Sequence, residues 1–316
     1  MSTLKEQLIS CLVKGGADIV RFGSIERFKD TIVPELMPEC KTVVGVLFRI
    51  LRGANRGVEE GSTFYQYTTS ANETLAETVM PRVLMRACNL LEDAGYEASP
   101  QREYQLIMED EESTNPEMDY HEVYRGIKVE KQMNFKQAAV LCGLGEIGMH
   151  GTLLTDEFGP LQRYGFILTD AEFEEDPIIE PHLCDKCGEC VKACPGHAIS
   201  AEGELDRWQC AVYYNGANMK KNPFMLPEAF MNDPQRMEII TGEAKVTPER
   251  AREIIDQIFF YPPIKQGYVS SICGKACDRA CYIHLEEKGV LTRKFTSKFR
   301  KRPEWELELL HPAKKD

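Results

Sequence analysis

Cys184-Asp-Lys-Cys187-Gly-Glu-Cys190-Val-Lys-Ala-Cys194-Pro195 is the stretch on which the reading of this chain turns. Its spacing, C-x2-C-x2-C-x3-C-P, is that of bacterial ferredoxins. A [4Fe–4S] cluster is held by four thiolates, and a loop of this kind supplies three. The fourth Cys turns away at the proline and ligates a second cluster. The run therefore predicts more cysteines downstream, and Cys210, Cys273, Cys277 and Cys281 are there. The predicted assignment places Cys184, Cys187, Cys190 and Cys281 on one cluster, and Cys194, Cys210, Cys273 and Cys277 on the other. The second set is less regular. Cys273, Cys277 and Cys281 are spaced C-x3-C-x3-C, with Tyr282 where a Pro would be usual. A [3Fe–4S] cluster stays open there. Because residues four apart share a helix face, packed core thiols are the competing reading. A zinc site competes for the first run. The spacing does not suit a disulfide framework. Cys11, Cys40, Cys88 and Cys142 sit among apolar residues and are expected to pack.

With 316 residues, the chain exceeds a bare ferredoxin and has room for about two domains. Hydrophobic residues make up 43%, enough for a core. No apolar run approaches the roughly 18 residues of a membrane span. Met1 to Val20 carries Lys5, Glu6 and Lys14 and does not read as a signal peptide, nor does a twin-arginine pair precede an apolar segment. The expected location is cytoplasmic, a reducing compartment that suits oxygen-sensitive clusters and an anaerobic chemistry. The net charge of −12 disfavours nucleic acid, which is bound chiefly through its phosphates. Residues 293–302 are a local exception, with six basic side chains and two Phe. The plain reading is a solvated basic tail; docking of an acidic partner is the alternative.

Thr3-x-x-Glu6 reads as a capping box that opens a helix with Leu8, Cys11 and Leu12 inward, ending near Gly15-Gly16. Thr42 to Leu51 is apolar and β-rich and predicts a central strand. Ser70-x-x-Glu73 predicts the start of a long helix with Leu75, Val79, Val83, Leu84, Cys88 and Leu91 inward, kinked at Pro81 and stopped at Gly95. Residues 109–119 are acidic and predict a loop. Phe135 to Cys142 predicts a helix, and Tyr164 to Thr169 a strand. The expected organisation is an α/β domain over 1–180, a ferredoxin-like cluster module over 181–285 with a long insertion at 211–272, and a basic C-terminal tail over 286–316.

Gly143-Leu-Gly145-Glu-Ile-Gly148 is formally G-x-G-x-x-G, with Asp170 22 residues beyond it. A dinucleotide fingerprint needs a strand before the glycines and a helix after them. Here Asn134 to Cys142 is helix-like, and Met149-His-Gly-Thr-Leu-Leu is a poor helix start.

The surroundings of this motif carry a resemblance. Ala138-Ala-Val-Leu-Cys-Gly-Leu-Gly-Glu-Ile-Gly-Met-His-Gly-Thr-Leu-Leu154, Glu157-Phe-Gly-Pro160, Ile167-Leu-Thr-Asp170 and the cysteine run follow one another in order. Together they resemble the epoxyqueuosine reductases and reductive dehalogenases, in which a segment like "AGLGWIGKNTLL" precedes an "LTD" strand and a double-cluster module. Met37-Pro-Glu-Cys-Lys-Thr-Val-Val44 is similar to that family's "PGAKSVI" strand entry, so the likeness spans about residues 37–281. The resemblance implies an α+β fold: a nitroreductase-like α/β cobalamin-binding domain followed by a bacterial ferredoxin-like double-cluster module. It implies base-off cobalamin beside two [4Fe–4S] clusters, with contacts from Gly143, Leu144, Gly145, Ile147, Gly148, His150, Gly151, Thr152 and Leu153. The small residues would let backbone approach a flat macrocycle. The nearest approach to the other cobalamin signature, D-x-H-x-x-G, is Asp119-Tyr-His121-Glu-Val-Tyr124, which lacks the Gly, so His121 reads as an ordinary loop His.

The chain also departs from the family. The Asp that donates a proton in the epoxyqueuosine reductases would fall at Val129, with Glu130 beside it. Glu130 becomes a candidate acid if burial raises its pKa; a solvated Glu is the plainer reading. The dehalogenases use a Tyr donor, for which Tyr104, Tyr120 and Tyr124 are candidates. The catalytic expectations are therefore Glu130 and Tyr124. The functional expectation is a cobalamin-dependent reductase, passing electrons from a low-potential ferredoxin or flavodoxin through the clusters to cobalt and on to a small organic substrate. The alternative is an electron-transfer or cobalamin-handling protein that reactivates a partner corrinoid protein.

Overall fold

The structure, a computed structural model, describes residues 2–64, 66–101, 133–258 and 272–307. The candidate acids Glu130 and Tyr124, with Tyr104, Tyr120, His121 and the acidic 109–119 segment, lie outside the described residues. The chain divides into two compact units that interleave in sequence. Met1–Phe48, Val79–Leu144 and Tyr164–Ile179 form the first; Arg49–Thr78, Gly145–Arg163 and Glu180–Asp316 form the second. Residues 49–78 and 145–163, expected in a continuous domain over 1–180, thus group with the cysteine-bearing unit. Among the described residues no helix is long and apolar enough to cross a membrane.

The first unit is built on a four-stranded sheet in the order β1-β2-β6-β3. β1 (Ile19–Ser24) and β2 (Thr42–Arg49) pair antiparallel, Ile19 opposite Leu47 and Ser24 opposite Thr42. β3 (Ala98–Gln101) pairs antiparallel with β6 (Gln162–Thr169). In β2 the run Thr42 to Phe48 is buried throughout, as an apolar run covered on both faces should be. The predicted central strand is therefore present. α1 (Leu4–Gly15) opens on the predicted capping box, Thr3 accepting from Glu6 N while the Glu6 carboxylate accepts from Thr3 N, and it ends at Gly16 with φ +117°. α2 (Met80–Asp93) buries Val83, Leu84, Cys88 and Leu91. α3 (Phe135–Leu141) starts at Asn134, whose side chain caps Gln137 N, and lays Cys142 over β2, within 3.4 Å of Val43 O.

The helix predicted from Ser70 differs in its start. Tyr67–Val79 is wound as a π-helix, and α-helical winding begins only at Met80. Pro81 has no N–H to give and its ring excludes a preceding α turn, so it sits in the first turn of α2. Ser70 lies inside the π segment and caps nothing.

The second unit holds two cores. One gathers Ile50, Val58, Phe64, Tyr67, Leu154, Leu183, Tyr282, Leu285 and Phe299. The other falls in the region expected as an insertion. α5 (Arg207–Tyr214), α6 (Arg236–Thr241) and α7 (Pro248–Asp256) pack Val212, Tyr213, Ile239, Ile240, Ala251 and Ile254 together, with Phe230 from the loop between. Residues 211–258 are thus a small helical core in their own right. The C-terminal segment also differs from a solvated tail. Phe299 is fully buried, and its N–H donates to Glu286, while Arg300 pairs with Glu59. A large aromatic inside a basic run supplies the apolar area that holds the segment down.

Candidate functional site

All eight cysteines of the predicted sets lie in the second unit. The loop into the first run is gripped by one carboxylate. Glu146, 3% exposed at the start of β4 (Glu146–Ile147), accepts from the N–H groups of His182 (2.5 Å), Leu183 (2.9 Å) and Cys184 (2.8 Å). Lys186 (φ +57°) and Gly188 (φ +77°) then bend the backbone into α4 (Glu189–Lys192), which carries the buried Cys190. Cys187 is exposed at the turn. α5 brings in Cys210. α8 (Ala276–Lys288) brings Cys277 and Cys281 one turn apart, after the left-handed pair Gly274 (φ +55°) and Lys275 (φ +49°).

The thiols sort electrostatically. Cys281 is pushed up by burial, by Asp278, and then by Cys190, Cys184 and Cys187. Cys190 is raised by burial and by Cys187 and Cys184. Cys210 is pushed up to about 12 by burial and by Cys273 and Cys194, with Lys275 opposing. Cys277 rises by burial, by Asp278, and by Cys273 and Cys210, again against Lys275. The couplings fall into two fours: 184, 187, 190 and 281; 194, 210, 273 and 277. Thiols raised by burial and by neighbouring thiols, such as Cys190, Cys281, Cys210 and Cys277, gain most from a bound cationic core that takes them as thiolates. Two sulfurs already accept backbone N–H groups, Cys184 from Met149 and Cys194 from Ala198, each at 3.3 Å. Hydrogen bonds to sulfur are one of the levers on cluster potential.

Three further groups hold this frame and were not anticipated from sequence. Arg279, buried between Cys277 and Cys281 on α8, donates from Nε to Gly274 O at 2.9 Å and from Nη2 to Cys273 O at 3.4 Å. Its charge is met by Glu59 at 2.5 Å. Asp278 accepts from Thr152 Oγ1 at 3.0 Å, lies 3.3 Å from His150 Nε2 and 3.8 Å from Lys275 Nζ. Burial works against its charge, but Lys275, His150 and Thr152 hold the carboxyl well below the usual range. The signal for Glu146, Asp278 and Arg279 was their charge in otherwise apolar or Cys-bearing stretches. Glu59 had no local signal. On the outer side, Asp185, Cys187 and His284 bring ligand atoms within 4.8 Å of one another, and Asp185 also pairs with Lys288.

The glycine segment is a helix followed by a hairpin, β4 against β5 (Leu153–Leu154), which rules out the strand–turn–helix order of a dinucleotide fingerprint. At two of its glycines the protein's own backbone fills the space a side chain would need. A Cβ on Gly143 would lie 2.1 Å from Pro177 O, and one on Gly145 would lie 2.1 Å from Leu154 O. Leu144, His150 and Leu153 are buried as well. Of the nine predicted cofactor contacts, only Ile147 is exposed, and Gly151 and Thr152 are half-buried. At Gly143 and Gly145 the absence of a side chain is thus required by close packing against a neighbouring loop and strand. Gly145→Ala is expected to lower thermal stability by about 1–3 kcal/mol with no ligand present; a melting temperature equal to the parent's would return this glycine to a ligand-facing role.

A family described as 4Fe-4S binding domain matches residues 177–200. An epoxyqueuosine reductase from Synechococcus sp. (strain CC9605) is 35% identical over 86 residues, covering 27% of this chain and 26% of the relative. A tetrachloroethene reductive dehalogenase from Dehalobacter restrictus is 42% identical over 83 residues, covering 24% of this chain and 15% of the relative. Over these stretches the chain is similar to the epoxyqueuosine reductases and reductive dehalogenases. The matched stretch spans about a quarter or less of these relatives' own length. Both kinds of relative are reductases. Similar solved structures include a reductive dehalogenase described in terms of B12-dependent dehalogenation (TM-score 0.48, 16% identity, 79% of this chain and 35% of that one). Another is an epoxyqueuosine reductase with an epoxyqueuosine-modified tRNA stem loop (TM-score 0.46, 14% identity, 91% and 83%).

Proposed function

We propose that this protein is an iron–sulfur reductase holding two [4Fe–4S] clusters, one on Cys184, Cys187, Cys190 and Cys281, the other on Cys194, Cys210, Cys273 and Cys277. The observation that carries the reading is the partition of eight cysteines of one unit into two electrostatically coupled fours. All-thiolate donor sets of four suit such clusters. Glu146 and Arg279 act as positioning residues: they fix the backbone at Cys184 and Cys273, so the thiols meet a cluster without reorganising the loops.

The electron acceptor in this reading is base-off cobalamin in a nitroreductase-like fold, and the reaction is reduction of a small organic molecule. Support comes from the relatives and from the order of motifs across residues 37–281. Cobalamin, when bound, supplies a low-valent cobalt able to reduce or attack a substrate. In the glycine segment, Ile147, Gly151 and Thr152 are the members left to meet it, and Asp278 fixes the Thr152 hydroxyl through its hydrogen bond.

Anaerobic reconstitution with and without cobalamin tests both parts. The expected result is about eight irons per chain and one retained corrinoid, seen by metal analysis and the visible spectrum. Eight irons without corrinoid would remove cobalamin and leave an electron carrier. Iron retention near zero would remove the cluster reading.

A further inference from the structure

The basic run is a fixed surface, which favours the docking alternative over a solvated tail. Residues 292–300 are strapped to the second unit at several points. Thr292 N donates to Asp156 O, Lys294 Nζ to Gly289 O, and Phe299 N to Glu286. Arg52 is the central pin. It pairs with Glu286 at 2.9 Å, donates to Ser297 O at 2.8 Å, and lies 4.2 Å from the Phe295 ring centre and 5.4 Å from that of Phe299. Arg56 adds a hydrogen bond to Phe299 O, and Arg300 is spent on Glu59. The remaining bases face outward: Arg293, Lys294, Lys298, Lys301 and Arg302 are all exposed. No carboxylate pairs with Lys298, Lys301 or Arg302 among the described residues. Phe295, 47% exposed, stands among them.

Five exposed bases around an aromatic, on a chain of net charge −12, make a local positive field in a negative surround. The strap also lies against the cluster helix. The Phe299 ring is 5.2 Å from that of Tyr282, the residue after Cys281. We infer that residues 293–302 are the docking surface for an acidic, low-potential electron-carrier protein, which reduces the cluster on Cys184, Cys187, Cys190 and Cys281. The step is a one-electron exchange: the carrier loses one electron, the cluster goes from its 2+ to its 1+ state, and no bond is made or broken. A compact carrier with one acidic patch meets the strap while keeping its other faces clear of the negative remainder. An extended nucleic acid would run beyond five charges into that remainder. This inference rests on the iron–sulfur reading of those four cysteines.

The test uses the full chain with reconstituted clusters, an acidic bacterial 2[4Fe–4S] ferredoxin as probe, and methyl viologen as a small reductant that needs no docking. The triple variant K298E/K301E/R302E is expected to weaken ferredoxin binding about tenfold or more at low salt. It should flatten the salt dependence of reduction by ferredoxin while leaving reduction by viologen at the parent rate. The neutral variant K298Q/K301Q/R302Q should fall between, and serves if charge reversal disturbs folding. Ferredoxin binding unchanged in both variants would overturn the proposal. So would loss of binding to a short RNA stem loop with ferredoxin binding intact. If the parent protein retains no iron on reconstitution, the iron–sulfur reading fails on its own, and the binding comparison still judges the surface.

Discussion

Cys281→Ala is expected to lose one cluster and keep the other, so that reconstituted iron falls from about eight to about four per chain. Cys277 and Cys281 sit one turn apart on α8, yet their electrostatic neighbours are different. Cys281 feels Cys184, Cys187 and Cys190, whereas Cys277 feels Cys273 and Cys210. The helix thus serves two sites, one from each of two successive positions on a face. Removing one thiol leaves three ligands at its own site and four at the other. Cys277→Ala should give the complementary loss, and the double variant should lose most of the iron. Metal analysis with electron paramagnetic resonance of the reduced protein separates the cases, and circular dichroism checks that α8 still forms. Retention of all iron in Cys281→Ala would mean that this thiol only packs. The alternative of core thiols on one helix face would then hold for it.

Local chemistry made some of this legible in the sequence. The Cys184–Pro195 spacing pointed to a cluster loop. The β-branched, apolar run within Thr42 to Leu51 pointed to a central strand, and Thr3 with Glu6 marked the start of α1. Those features depend on neighbours within a few residues. What was missed depends on partners far away. Phe299 reads as one of two aromatics in a basic tail until Tyr282 and Arg52 are placed against it. Gly143 and Gly145 gave no sign in the sequence that Pro177 O and Leu154 O would press against them. The interleaving of the two units was hidden because its boundary at Gly145 falls inside the glycine segment, whose glycines read as a cofactor loop and not as a boundary. Residues 211–272 read only as a long insertion in the cluster module. Yet the apolar residues of three short helices suffice for a local core, since each helix needs to bury only one stripe.

Glu59→Gln is expected to be the most destabilising of the single substitutions considered, by about 3–5 kcal/mol, through a charge left buried rather than through lost volume. Glu59 and Arg279 are 3% and 4% exposed in their side chains and meet at 2.5 Å; Arg300, 28% exposed, binds the other carboxylate oxygen. Gln keeps the shape and one acceptor but leaves the Arg279 guanidinium with no counter-charge in a site that excludes water. Arg300 can swing to solvent; Arg279 cannot, because its Nε and Nη2 are committed to Gly274 O and Cys273 O. The strain therefore falls on the turn that presents Cys273. Stability and cluster binding can be told apart with the double variant Glu59→Met with Arg279→Met. Replacing a buried ion pair by apolar residues of similar size is often nearly neutral, so the double variant should recover much of the thermal stability that Glu59→Gln loses. It cannot restore the two hydrogen bonds to the Cys273–Gly274 backbone. Iron at the Cys194, Cys210, Cys273 and Cys277 site should stay low or exchange quickly with a chelator, while the other site holds its iron. Recovery of both stability and that iron would make Arg279 a partner of Glu59 alone. Recovery of stability without the iron would make it the residue that sets the Cys273 turn for a cluster.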